Sequence, residues 1–200
     1  MAYDYLLEEG EQRELLRIAR TTVKEYLVSG RMPPGAPHKK SLVAPAAVFV
    51  TLHAGDALRG CIGTTVENQP IYKAVQEMAV AAASRDPRFR PVKVEELNEL
   101  TIEISVLHER TTVASVADIE IGKHGLQVTT GGGDRPHRGL LLPRVALEQG
   151  WDAETFLART CEKAGLPATW WRGNESSFER FTAQVFDEKT LAVGPFAPPT

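Results

Sequence analysis

Residues 31–45 hold Pro33, Pro34, Pro37 and Pro45 together with Gly35, so no helix or central strand can be drawn through them. Proline lacks the amide donor that both structures need, and glycine resists being held in either. Regular structure must therefore be built on either side of this stretch, which reads as an internal loop carrying Lys39-Lys40. Before it, residues 11–29 place Leu15, Leu16, Ile18, Ala19, Val23, Tyr26 and Leu27 at helical spacing, with Gly30 as the stop. After it, residues 46–53 predict a strand, Gly55-Asp56 a turn, and residues 57–64 a strand returning beside the first.

The same logic carries to the C-terminus. Pro70 opens an alanine-rich helix over 71–84, which Asp86-Pro87 ends. Residues 100–108 alternate as a strand with one face largely apolar, and 125–130 is a further short strand. Gly131-Gly132-Gly133-Asp134 reads as a turn into a strand over 138–142. A short helix follows from Pro143 to Gln149, then one capped by Asp152 and ended by Gly165, and a last strand over 178–187. Residues 194–200 form a proline-rich tail. Hairpin-like pairs interrupted by helices, without strict βαβ alternation, predict an α+β fold with a mainly antiparallel sheet flanked by helices. No second domain is demanded, so residues 1–200 read as one domain.

Composition narrows the function classes. With 42% hydrophobic and 24% charged residues in 200, the chain has the makeup of a folded globular protein. A formal net charge of -3 gives no electrostatic reason to expect general nucleic-acid binding. The N-terminus shows no basic and apolar signal regions, and no run reaches the ~18 apolar residues of a membrane helix. A cytoplasmic, non-membrane protein with reduced thiols is expected, Cys61 and Cys161 being the two cysteines.

The segment Leu58-Arg59-Gly60-Cys61-Ile62-Gly63-Thr64 departs most from a plain strand. A period of two puts Arg59, Cys61 and Gly63 on one face. Glycine inside a strand marks a bulge or the close approach of another backbone or a ligand. A guanidinium beside a thiol favours the thiolate, the form that acts as nucleophile or metal ligand. Three readings stay open: Cys61 as a small buried hydrophobe with glycines serving sheet curvature, Cys61 as an activated thiol, or Arg59 as the holder of a phosphate or carboxylate.

With Val48-Phe49-Val50-Thr51-Leu52 before it, this segment resembles the signature of the AMMECR-type family, whose bacterial and archaeal members are called AmmeMemoRadiSam system protein A. The likeness continues through Asp86-Pro87-Arg88-Phe89, Ile102 to Leu107, His124-Gly125-Leu126, Leu141-Leu142-Pro143, Gln149-Gly150-Trp151-Asp152 and Ala183-Gln184-Val185-Phe186. It spans about residues 5–190. The resemblance implies a larger and a smaller lobe with a groove between them and the Arg-Gly-Cys motif near that groove. It also implies partners: a Memo-like protein and a radical SAM protein.

Other residues complete the candidate site. Asp86 and Arg88 stand in a helix-ending turn that would add a polar constellation if it folded over the strand of Cys61; otherwise Phe89 simply plugs the core. His124 is the candidate base for a Cys–His pair, or a turn residue bonded to backbone. His53, His108 and His137 are weaker candidates. No metal-ligand spacing and no cofactor fingerprint occurs, so neither a metal nor a cofactor is expected. The basic groups Arg135, His137, Arg138, Arg144 and Arg85, Arg88, Arg90, Lys93 read as solvated faces. Two functions follow: catalysis by Cys61 with Arg59 and His124, or a binding module in which Arg59, Gly60, Gly63, Asp86 and Arg88 hold a small anionic ligand, a peptide, a partner protein or RNA.

Overall fold

The computed structural model describes residues 6–35, 37–131 and 136–196. These residues fall into two compact units, the first running to Leu107 and resuming at Gln184, the second spanning His108–Ala183. Helix α1 is Glu9–Ser29, with the Glu11 carboxylate accepting the Glu8 N–H at 2.8 Å. It ends at Gly30, whose φ of 69° belongs to the left-handed region glycine adopts freely. Strands β1 (Val48–Ala54) and β2 (Ala57–Thr64) follow, then helix α2 (Ile71–Ser84) and strand β3 (Leu100–Thr112). The chain continues through β4 (Gly125–Thr129), β5 (Arg138–Leu141), α3 (Pro143–Glu148), α4 (Ala153–Lys163) and β6 (Phe178–Asp187). The strand order is β2-β1-β3-β6-β4-β5, and the β1–β2, β1–β3, β4–β5 and β4–β6 pairs are antiparallel, as an α+β chain of this pattern requires.

Two expectations change. The proline-rich loop contains a 3-10 turn at Lys40–Val43, a stretch free of proline, so that the Ala44 N–H can reach the Ser41 carbonyl. Strand β3 runs past the expected end at His108 because a backbone ladder needs no apolar side chains, and residues 109–112 are Glu, Arg, Thr and Thr. The glycine turn at 131–134 falls outside the described residues from Gly132 onward; β4 and β5 pair from Leu126↔Leu141 to Thr129↔Arg138.

In the first unit, Leu15, Leu16, Ala19 and Val23 of α1 and Ile71, Val75 and Ala79 of α2 cover one sheet face. That face presents Val48, Val50 and Leu52 from β1 and Leu100, Ile102, Ile104 and Val106 from β3. Each such aliphatic side chain contributes about 1.5–3 kcal/mol on burial. Glu188, fully buried after β6, ties the unit together: it accepts the Ile102 N–H at 2.8 Å and pairs with Arg20 of α1. The second unit has its own core, in which Phe156, Leu157 and Cys161 of α4 pack with Leu126, Val128 and Phe178. Trp151, Trp170 and Trp171 pack on this second core. Asp152 caps α4 by accepting the Thr155 N–H at 2.8 Å, the role its sequence position predicts. No helix among the described residues is long and apolar enough to cross a membrane.

Candidate functional site

Strand β2 closes one side of the sheet, so its outward backbone groups need partners other than a neighbouring strand. Its register with β1 explains the motif. Leu52 pairs with Gly60 and His53 with Leu58, which leaves Arg59 as the extra residue of a bulge. Gly60 is where α2 meets the strand: a Cβ there would lie 2.2 Å from the Ala82 carbonyl oxygen. Gly63 faces its cross-strand neighbour Phe49, whose ring a Cβ would meet at 2.2 Å. Both glycines thus permit close approach, the first by backbone and the second by an aromatic ring.

Cys61 is half-buried and stands opposite Thr51, whose Oγ1 donates to its Sγ at 3.3 Å. Its backbone faces the turn after α2. The Cys61 N–H donates to Asp86 Oδ2 at 2.8 Å, and Arg88 Nη2 donates to the Cys61 carbonyl at 3.2 Å. Arg88 also grips Asp86 through Nε at 3.0 Å and Nη2 at 2.7 Å, while its guanidinium lies over the Phe89 ring. The turn therefore folds over the strand of Cys61 and bonds the edge groups a further strand would otherwise use. The Arg88 guanidinium holds the Asp86 carboxyl well below the usual carboxylate range, helped by the backbone N–H groups of Cys61 and Arg88 and opposed by burial. The same pairing raises the Arg88 pKa, with a smaller contribution from the Cys61 sulfur.

Arg59 makes a different set of bonds. Its Nε and Nη2 reach the Glu96 carboxylate at 2.8 and 3.1 Å, and its Nη1 reaches the Arg90 carbonyl at 2.9 Å. Glu96 is correspondingly held below its ordinary pKa by the Arg59 guanidinium, against desolvation. Any anion at Arg59 would compete with this carboxylate fork.

The structure brings Arg59, Gly60, Cys61, Gly63, Asp86 and Arg88 into one part of the first unit. His124 belongs to the second unit, where its Nδ1 accepts the Glu120 N–H at 3.0 Å and burial lowers its pKa. Cys161 is fully buried there, and burial pushes its thiol pKa up. His137 bonds the Ala164 carbonyl through Nδ1 at 2.9 Å, and Arg135 lies outside the described residues. Among the described residues no group of three or more His, Cys, Asp or Glu could hold a metal ion.

Sequence reasoning missed the polar row beside Cys61. Thr51 stands opposite Cys61 on β2 and opposite Glu103 on β3, so Cys61, Thr51 and Glu103 occupy matching register positions. Thr51 and Glu103 are buried, and His53 Nε2 lies 3.8 Å from Glu103 Oε2. The signal was present as Glu103, the one carboxylate among the otherwise apolar or hydroxyl-bearing residues 100–107. Elsewhere in the unit, a cavity of about 490 Å³ lies between α1 and the proline-rich loop, lined by residues that include Glu14, Thr22, Pro33 and Gln76.

An α+β sheet with a half-buried thiol latched at its edge defines the class to which this chain must be compared. The AMMECR1 family model matches residues 16–186, and the chain belongs to that family. Protein PF1979 of Pyrococcus furiosus is 41% identical over 196 residues, covering 92% of this chain and 91% of the relative. A protein of Methanothermobacter thermautotrophicus is 44% identical over 191 residues, covering 91% and 96%. The crystal structure of the uncharacterised protein PH0010 from Pyrococcus horikoshii superposes with a TM-score of 0.81 at 38% identity, over 88% of this chain and 91% of that one.

Proposed function

We propose that Cys61 is the working residue of this protein and acts as a thiol nucleophile toward an electrophilic small molecule. One observation carries the reading. A half-buried sulfur accepts a hydrogen bond from Thr51, and the Arg88 guanidinium, gripped by Asp86, bonds the carbonyl of the same cysteine. Gly60 and Gly63 support the geometry by letting α2 and Phe49 close around the strand.

The test is alkylation resolved by mass spectrometry, with Cys161 as the internal comparison. Cys61 is expected to react faster than Cys161 at neutral pH, and Arg88→Ala to slow it without unfolding the chain. A Cys61 as inert as Cys161 in the folded protein would end the nucleophile reading.

A second reading, a non-catalytic site for a small anionic ligand, a peptide, a partner protein or RNA, is favoured by the half-exposed Arg88 side chain, which can offer its outer donors to a carboxylate or phosphate. The family resemblance supports a further proposal, a cytoplasmic role alongside a Memo-like protein and a radical SAM protein. Tagged protein should then retain both partners from an extract of cells that encode all three; retention of neither would remove it.

A further inference from the structure

A second cavity in the first unit, about 320 Å³, opens where the β1–β2 turn meets β3 and the end of β6. Its wall carries His53, Asp56, Thr101, Glu103, Asp187 and Lys189. Three carboxylates against one lysine make it an acidic recess. Acidity alone would be a solvated surface feature, but Thr101 adds an independent observation. Its side chain lines the recess and is only 4% exposed, and its Oγ1 is buried with no hydrogen-bond partner. A buried hydroxyl left unmatched is destabilising, since it has given up water without gaining a partner. That cost is removed when a ligand supplies the missing partner.

The geometry points to a binding site for a small molecule that enters through a protonated primary amine. An ammonium has three donors and no acceptor, which suits a wall of carboxylates and an unpartnered hydroxyl. An anion would meet Asp56, Glu103 and Asp187 with only Lys189 in its favour. A metal ion lacks a set of three ligands among the described residues. The volume is near the lower end of ligand pockets, about 300–1,000 Å³, so the ligand is small. The two Asp187 oxygens already accept the Thr190 N–H and hydroxyl at 2.9 and 2.8 Å, and Glu103 lies 3.8 Å from His53 Nε2. The ammonium is held between Asp56 and Glu103, with Thr101 as its third acceptor. Thr51 lies between Glu103 and Cys61 in the register, so the bound amine occupies the same sheet face as the thiol. Amine binding in the recess does not depend on what Cys61 does.

The full chain, isotope-labelled, is titrated with putrescine and separately with 1,4-butanediol, its neutral match, and followed by amide NMR. Saturable shifts at Asp56, Thr101 and Glu103 are expected with the diamine and none with the diol. Glu103→Gln should weaken binding about tenfold or more, the size of one charge-assisted hydrogen bond. Asp56→Asn, at an exposed turn where folding is not at stake, should weaken it several-fold and decides the matter should Glu103→Gln not fold. No saturable shift, equal response to the diol, or unchanged binding by both variants would overturn the site. Cys61 alkylation is read separately, so failure here leaves the thiol reading untouched.

Discussion

A methyl group on Gly60 would lie 2.2 Å from the Ala82 carbonyl oxygen, which is fixed in the backbone of α2, whereas one on Gly63 would meet the Phe49 side chain. A ring can rotate aside; a helix carbonyl cannot move without its helix. Gly60→Ala is therefore expected to cost about 1–3 kcal/mol, as overpacking does, and Gly63→Ala less. Urea denaturation of the two variants at neutral pH gives the comparison, and an equal cost would show that Phe49 is as immovable as α2. The sequence marked both glycines as places of close approach but gave no way to tell the two neighbours apart. Arg59 teaches the same lesson. Its partner Glu96 lies 37 residues on, and no local pattern links them.

At the scale of elements, the turn after α2 acts as a latch on β2. Asp86 takes the Cys61 N–H and Arg88 its carbonyl. Because the folded-state pKa of Asp86 is depressed below its unfolded value, its contribution to stability is complete above the ordinary carboxylate range near 4. That contribution is lost as pH falls through the lower folded-state value. Asp86→Asn should accordingly be less stable than wild type at pH 7, by about 1–3 kcal/mol, with the gap narrowing as pH drops below 4. Denaturant midpoints of both proteins from pH 7 to pH 3 test this, and a gap that widens toward acid would refute it. The elements themselves were legible: α1, α2 and α4 from their spacing and stops, β1 and β2 from the turn between them. That Asp86 reaches Cys61 was conditional in the sequence, because the two stand 25 positions apart with a whole helix between them.

For the molecule as a whole, the order of strands and helices followed from periodicity and turn residues, since these are local properties of the chain. Burial of the second face of β3 did not. Thr101, Glu103 and Ser105 alternate with apolar residues as a solvated face would, yet all three are buried. The acidic recess escaped notice for the same reason, as it joins His53 and Asp56 to Thr101, Glu103 and Asp187 across more than a hundred residues. The division into two units also distributes the aromatic residues unevenly. Trp151, Trp170 and Trp171 are the whole tryptophan complement, and all belong to the second unit. Indole emission therefore originates in the half of the chain that carries neither Cys61 nor Glu103, and the first unit has no intrinsic fluorophore of that kind. A tryptophan engineered into the first unit would give occupancy of either site a local optical reporter.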